Sequence, residues 1–93
     1  MRNYEALVIV DPALEESSLK QAVDKFTAVI GEKGELGKVD HWGRKRLAFE
    51  INHQSEGYYV LANFKAEPSL ISELDRLFEI GEEYIRAKIV RMP

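Results

Sequence analysis

The sequence predicts an α+β fold: four strands in one antiparallel sheet, with two helices on one of its faces, in the order βαββαβ. Two observations carry this. Four runs are rich in β-branched residues or alternate apolar with polar residues, the period of a strand. Two other runs repeat their apolar residues at three- and four-residue steps, the period of a helix with one buried stripe. Two such helices cover one face of a four-stranded sheet and leave the other open to solvent or to a partner.

Residues 2–10 end in an apolar run, Ala6-Leu7-Val8-Ile9-Val10, and read as a central strand. Asp11-Pro12 punctuates it. From Glu15 to about Glu32, Leu19, Ala22, Val23, Phe26, Val29 and Ile30 form a helical stripe, with Gly31 and Gly34 as terminators. Residues 36–52 read as a long strand in which Val39, Leu47, Phe49 and Ile51 alternate with polar residues, and Gly43 inside it signals a bulge. Asn52 to Gly57 is a polar turn, and Tyr58 to Phe64 a third strand. Pro68-Ser69 opens the second helix, with stripe Leu70, Ile71, Leu74, Leu77 and Phe78, closed by Gly81. Residues 84–91 alternate, with Ile85, Ala87 and Ile89 inward. Val23, Phe26, Ile30, Leu74, Leu77 and Phe78 are expected to pack against Leu47, Phe49, Ile51, Ile85 and Ile89.

This layout is the ferredoxin-like, split βαβ arrangement; four strands and two helices are too few for a three-layer α/β fold. Residues 1–93 are expected to form a single domain, without linker, low-complexity tract or strict repeat. A chain of 93 residues builds one thin core, so a deep enclosed substrate cavity is not expected. It contains no cysteine, which excludes disulfide scaffolds, thiol catalysis and cysteine-ligated metals. The start lacks a signal-peptide layout, and no apolar run approaches the ~20 residues that span a bilayer. A cytoplasmic protein is the expectation.

The net charge is -3, from 13 basic and 16 acidic residues, which argues weakly against a nucleic-acid binder. Its distribution reverses that argument. The strands and their ends carry Arg2, Lys38, Arg44, Lys45, Arg46, Lys65, Arg86, Lys88 and Arg91, nine of the 13 basic residues, against Glu5, Glu35, Asp40 and Glu50 among the acids. The remaining acids lie mostly on helices and loops. A polyanion approaching the open sheet side meets positive charge, while the helix side repels it.

The most informative segment is Trp42-Gly43-Arg44-Lys45-Arg46-Leu47-Ala48-Phe49-Glu50-Ile51-Asn52. Three consecutive basic residues on a strand cannot all face one way. Trp42 supplies a flat face for base stacking or an anchor for a protein partner; the blander reading is an edge strand guarded by charge, and the two weigh about equally. Gly57-Tyr58-Tyr59-Val60-Leu61 faintly resembles the base-stacking strand of RNA-recognition motifs. Glu56 stands where that motif wants a basic residue, however, and adjacent tyrosines point to opposite faces. One tyrosine in the core and one on the surface is favoured. His41 and His53 have no partner at ligand spacing. Glu15-Glu16 and Glu82-Glu83 are sequence neighbours and do not face each other on a helix. No phosphate loop, activated serine or acidic cation cage is present, so no catalytic residue, metal site or cofactor is expected.

Met1-Arg2-Asn3-Tyr4-Glu5, the Trp42–Asn52 stretch, Tyr59-Val60-Leu61 and Ile85-Arg86-Ala87-Lys88-Ile89-Val90-Arg91 resemble the bacterial-type small-subunit ribosomal protein number six family over essentially the whole chain. The family often has Tyr where this chain has Phe49, and some members carry a polar C-terminal tail not seen after Pro93. The resemblance implies a structural component of the small ribosomal subunit, cytoplasmic, in the ribosome. It implies binding to the central domain of the small-subunit ribosomal RNA together with small-subunit ribosomal protein eighteen, with no membrane and no small-molecule substrate. By position it matches Arg2, Tyr4, Arg44, Lys45, Arg46, Arg86 and Arg91 to the family's basic and aromatic positions, without saying which touch phosphate and which the protein partner. These residues and Lys88 are taken as RNA-binding candidates; Trp42, a large aromatic next to a glycine on a charged strand, and Tyr59 are the partner-binding candidates. The alternative is a small ligand-binding regulatory domain of the same fold. It would want a glycine-containing loop after the first strand, where Asp11-Pro12-Ala13-Leu14 has none. An acyl-phosphate hydrolase of this fold would want an anion-cradling loop and an arginine there, and both are missing.

Overall fold

The computed structural model describes residues 1–51 and 54–93, and for residues 48–51 and 54 the backbone alone. The order is β1 (Arg2–Val10), α1 (Glu16–Lys33), β2 (Glu35–Ile51), β3 (Gln54–Ala66), α2 (Pro68–Ile80) and β4 (Tyr84–Arg91). The strands form one sheet in the order β2-β3-β1-β4, every neighbouring pair antiparallel. The predicted α+β, ferredoxin-like layout is the fold.

Alternation on the central strands explains the two faces. Tyr4, Ala6, Val8 and Val10 of β1 sit opposite Phe64, Ala62, Val60 and Tyr58 of β3. This face joins the stripe Leu19, Ala22, Val23, Phe26 and Ile30 of α1 and Leu70, Leu74 and Phe78 of α2 in one core. Leu77, Ala87 and Ile89 pack against it from their half-buried positions. Phe26, Phe78 and Tyr84 meet edge to face, with ring centroids 5.0–6.3 Å apart. The open face of β1 and β3 presents Leu7, Ile9, Tyr59 and Leu61.

Several boundaries and orientations differ from expectation. Helix α1 runs through Gly31, where a side chain would meet nothing, and stops at Gly34. Gly34 has φ -152, which any residue adopts, so its helix end does not need a left-handed cap. What excludes a side chain is the Lys65 carbonyl oxygen, against which a Cβ would collide. Strand β3 starts at Gln54, because the ladder with β2 continues through Lys45 opposite Gly57 and Arg46 opposite Glu56. Of the expected turn, residues 52 and 53 lie outside the described residues.

The bulge expected at Gly43 is present, with φ +83. His41 sits opposite Val60 and Gly43 opposite Tyr59, so Trp42 and Gly43 together face one residue of β3. The extra residue reverses the alternation. Val39 and His41 point with Ala62 and Val60 to the helix side; past the bulge, Lys45 points with Gly57 to the open side. Leu47 therefore does not pack under the helices. It is buried on the open face, where Gly57 leaves room for Leu47 and Ile9. A second irregularity sets Tyr84 opposite Val10 and Arg86 opposite Ile9. Ile85 is the residue skipped, and Tyr84 fills the inward place expected for it. The side chains of Phe49 and Ile51, expected in the core, lie outside the described residues.

Candidate nucleic-acid and protein interface

The ladder positions the surface residues. On the open face, Trp42 stacks on Tyr59 with ring centroids 6.3 Å apart and planes 10° from parallel. The Lys45 ammonium lies 5.5 Å from the Trp42 ring centroid, within the range of cation–π attraction. Trp42 is 45% exposed despite this stack. Tyr59 lies opposite Ile9, which on its other side lies opposite Arg86; Leu61 lies opposite Leu7, which in turn lies opposite Lys88. The open face is thus an apolar strip of Trp42, Tyr59, Ile9, Leu61 and Leu7, flanked by Lys45 on the hairpin and by Arg86 and Lys88 on the edge strand. Glu5 and Asp40 lie on the same face, opposite Asn63 and Leu61.

The candidates marked by the sequence do not form one patch. Lys45, Arg86, Lys88, Trp42 and Tyr59 share the open face. Arg44 lies opposite Tyr58 on the helix side, where its guanidinium donates to the Pro12 carbonyl at 3.2 Å. Arg46 faces Glu56 across the hairpin. Arg2 and Arg91, opposite Ala66 and Tyr4, lie at the far end of the sheet from the hairpin and on the helix-side parity. Tyr4 belongs to the core: it is 7% exposed and its ring stacks on Phe64 at 5.6 Å. It faces the helices because it shares the even-numbered side of β1 with Ala6, Val8 and Val10.

The sequence reading missed a group on the helix side. His41 Nδ1 and the Tyr58 hydroxyl are 3.0 Å apart, and both line a cleft of about 650 Å³ with Lys20 and Arg44. The parity reversal at Gly43 was the available signal, since it moves Arg44 onto the face of His41. His53 lies outside the described residues. Among the described residues no three histidine or carboxylate side chains could hold a metal ion, and no helix is long and apolar enough to cross a membrane.

These features define a small α+β fold whose uncovered sheet face mixes aromatic, aliphatic and basic side chains. Residues 3–91 match the family described as ribosomal protein S6, and the chain belongs to that family. It is 48% identical over 92 residues to the small ribosomal subunit protein bS6 of Desulforamulus reducens, covering 98% of this chain and 97% of that one. It is 50% identical over 91 residues to that of Clostridium novyi, covering 97% and 96%. The crystal structure of 30S ribosomal protein S6 from Thermotoga maritima superposes with a TM-score of 0.93 at 28% identity, covering 98% of this chain and 87% of that one. The chain is thus a structural protein of the small subunit of the cytoplasmic bacterial ribosome, and not an enzyme.

Proposed function

We propose that the chain binds the central domain of the small-subunit ribosomal RNA as one half of a unit completed by small-subunit ribosomal protein eighteen. The carrying observation is the exposed Trp42 stacked on Tyr59, with Lys45 beside it, on the face that no helix covers. A large aromatic in an apolar strip is the usual anchor of a protein interface. The flanking Arg86 and Lys88 supply charge that phosphates attract. The chain as a whole is acidic, at -3, so its own affinity for RNA is weak and a partner adds both surface and charge. The RNA contacts fall to the basic residues of the hairpin and of β4, and the protein contact to Trp42 and Tyr59.

The test measures RNA binding by this chain alone, by the partner alone and by the mixture, at one salt concentration. Each partner should raise the other's RNA affinity by the same factor. If this chain alone binds the central-domain RNA as tightly as the mixture does, the cooperative reading is wrong.

A further inference from the structure

We propose that the cleft between the start of α1 and β2 is a phosphate-binding site, separate from the open face. This rests on the RNA reading only for the source of the phosphate. Two cationic side chains from different elements, Lys20 of α1 and Arg44 of β2, face this cleft, and the His41–Tyr58 pair adds polar hydrogen-bonding groups. Its floor is Leu19 and Val23, both buried, so the polar groups stand on a rigid apolar base. Among the described residues neither Lys20 nor Arg44 forms an ion pair, whereas Lys25, Lys33 and Lys38 each do. Glu16 is the acid on the rim, and it leaves the cleft with a net positive balance.

The ligand chemistry follows. Arg44 already has one donor on the Pro12 carbonyl, and its guanidinium keeps further N–H donors for a ligand. A planar fork beside an ammonium suits the several oxygens of a phosphate better than a single carboxylate. The parity reversal at Gly43 gives the site its meaning. It sends Arg44 to this cleft and Lys45 to the Trp42 face, so consecutive residues serve two surfaces on opposite sides of the sheet. A partner on the open face then leaves the cleft free for phosphate.

Two sources share this chemistry: the RNA backbone and a free phosphate ester. The experiment has an arm for each. In the first, inorganic phosphate is titrated into the protein against matched chloride, and the His41 and Tyr58 ring resonances are followed by NMR. Saturable shifts in the millimolar range are expected, and should be lost in Lys20→Gln and in Arg44→Gln. In the second arm, RNA binding with the partner present is measured across a salt series. Lys20→Gln should lower the slope of log affinity against log salt by about 0.7–0.9, the effect of one phosphate contact, while Arg76→Gln on α2, the same charge change elsewhere, should not. Phosphate shifts with an RNA slope no different from that of Arg76→Gln support the site and assign it to free phosphate esters. No phosphate-specific shift, together with Lys20→Gln equal to Arg76→Gln, overturns it. Absence of any RNA binding by the mixture removes the RNA reading, and the phosphate titration still decides the cleft.

Discussion

The Tyr84 hydroxyl donates a 2.6 Å hydrogen bond to the carbonyl oxygen of Ala22, tying the first residue of β4 to the middle of α1. Both residues are buried, and the ring completes the aromatic group with Phe26 and Phe78. Tyr84→Phe keeps the ring and removes the bond, so we expect a loss of about 1–2 kcal/mol in urea unfolding. A change within measurement error would show that the bond exchanges evenly with water.

The same phenol gives a pH dependence. Burial, with the nearby Glu83 charge, holds its pKa well above the ordinary 10.0. Above about pH 10 the unfolded chain releases this proton while the folded chain keeps it, so stability falls as pH rises. The expected result is alkaline destabilisation that is weaker in Tyr84→Phe. Parallel stability curves for the two proteins between pH 9 and about pH 11 would contradict this.

Phe26 is fully buried and touches both other rings of the aromatic group. Phe26→Ala should destabilise by about 3–5 kcal/mol. A loss of about 0.5 kcal/mol or less would place it on the surface.

Two glycines should respond in opposite directions. A side chain at Gly31 or at Gly43 meets nothing, so backbone conformation alone decides. Gly31 is helical, and Gly31→Ala should stabilise by roughly 0.5–1 kcal/mol. Gly43 has φ +83, and Gly43→Ala should cost about 1–2 kcal/mol. Thermal melts of the two variants check the pair, and equal signs would refute it.

Replacing Arg44, Lys45 and Arg46 together with Ala should flatten the salt dependence of RNA association, since fewer phosphates are neutralised. All three are exposed, so folding should change little. An unchanged salt slope would remove them from the phosphate contacts.

The strand and helix periods were legible because each element buries one regular stripe: Leu19 to Ile30 and Leu70 to Phe78 are read directly from their spacing. Orientation after an irregularity was not. Gly43 signalled a bulge, but periodicity does not say that the bulge reverses Leu47 to the open face. The skip at Ile85, which brings Tyr84 inward, has no glycine to announce it. The site was legible in composition rather than in arrangement. Trp42 and Tyr59 meet only through the β2–β3 register, and Tyr4 is lost to the core because its parity matches that of Val8 and Val10. Lys20 lies 24 positions from Arg44, and only the fold brings them to one cleft.

Strand β1 ends at Val10, opposite Tyr58, whereas β2 and β3 continue together through Lys45 opposite Gly57 and Arg46 opposite Glu56. Beyond Tyr58 the ladder therefore has two strands, where its middle has four. Amides there should open without global unfolding, because no third strand must part first. In hydrogen–deuterium exchange, the amide protons of 45–47 and 55–57 should exchange ahead of those of β1, and their protection on assembly would report how far a bound partner reaches along the hairpin.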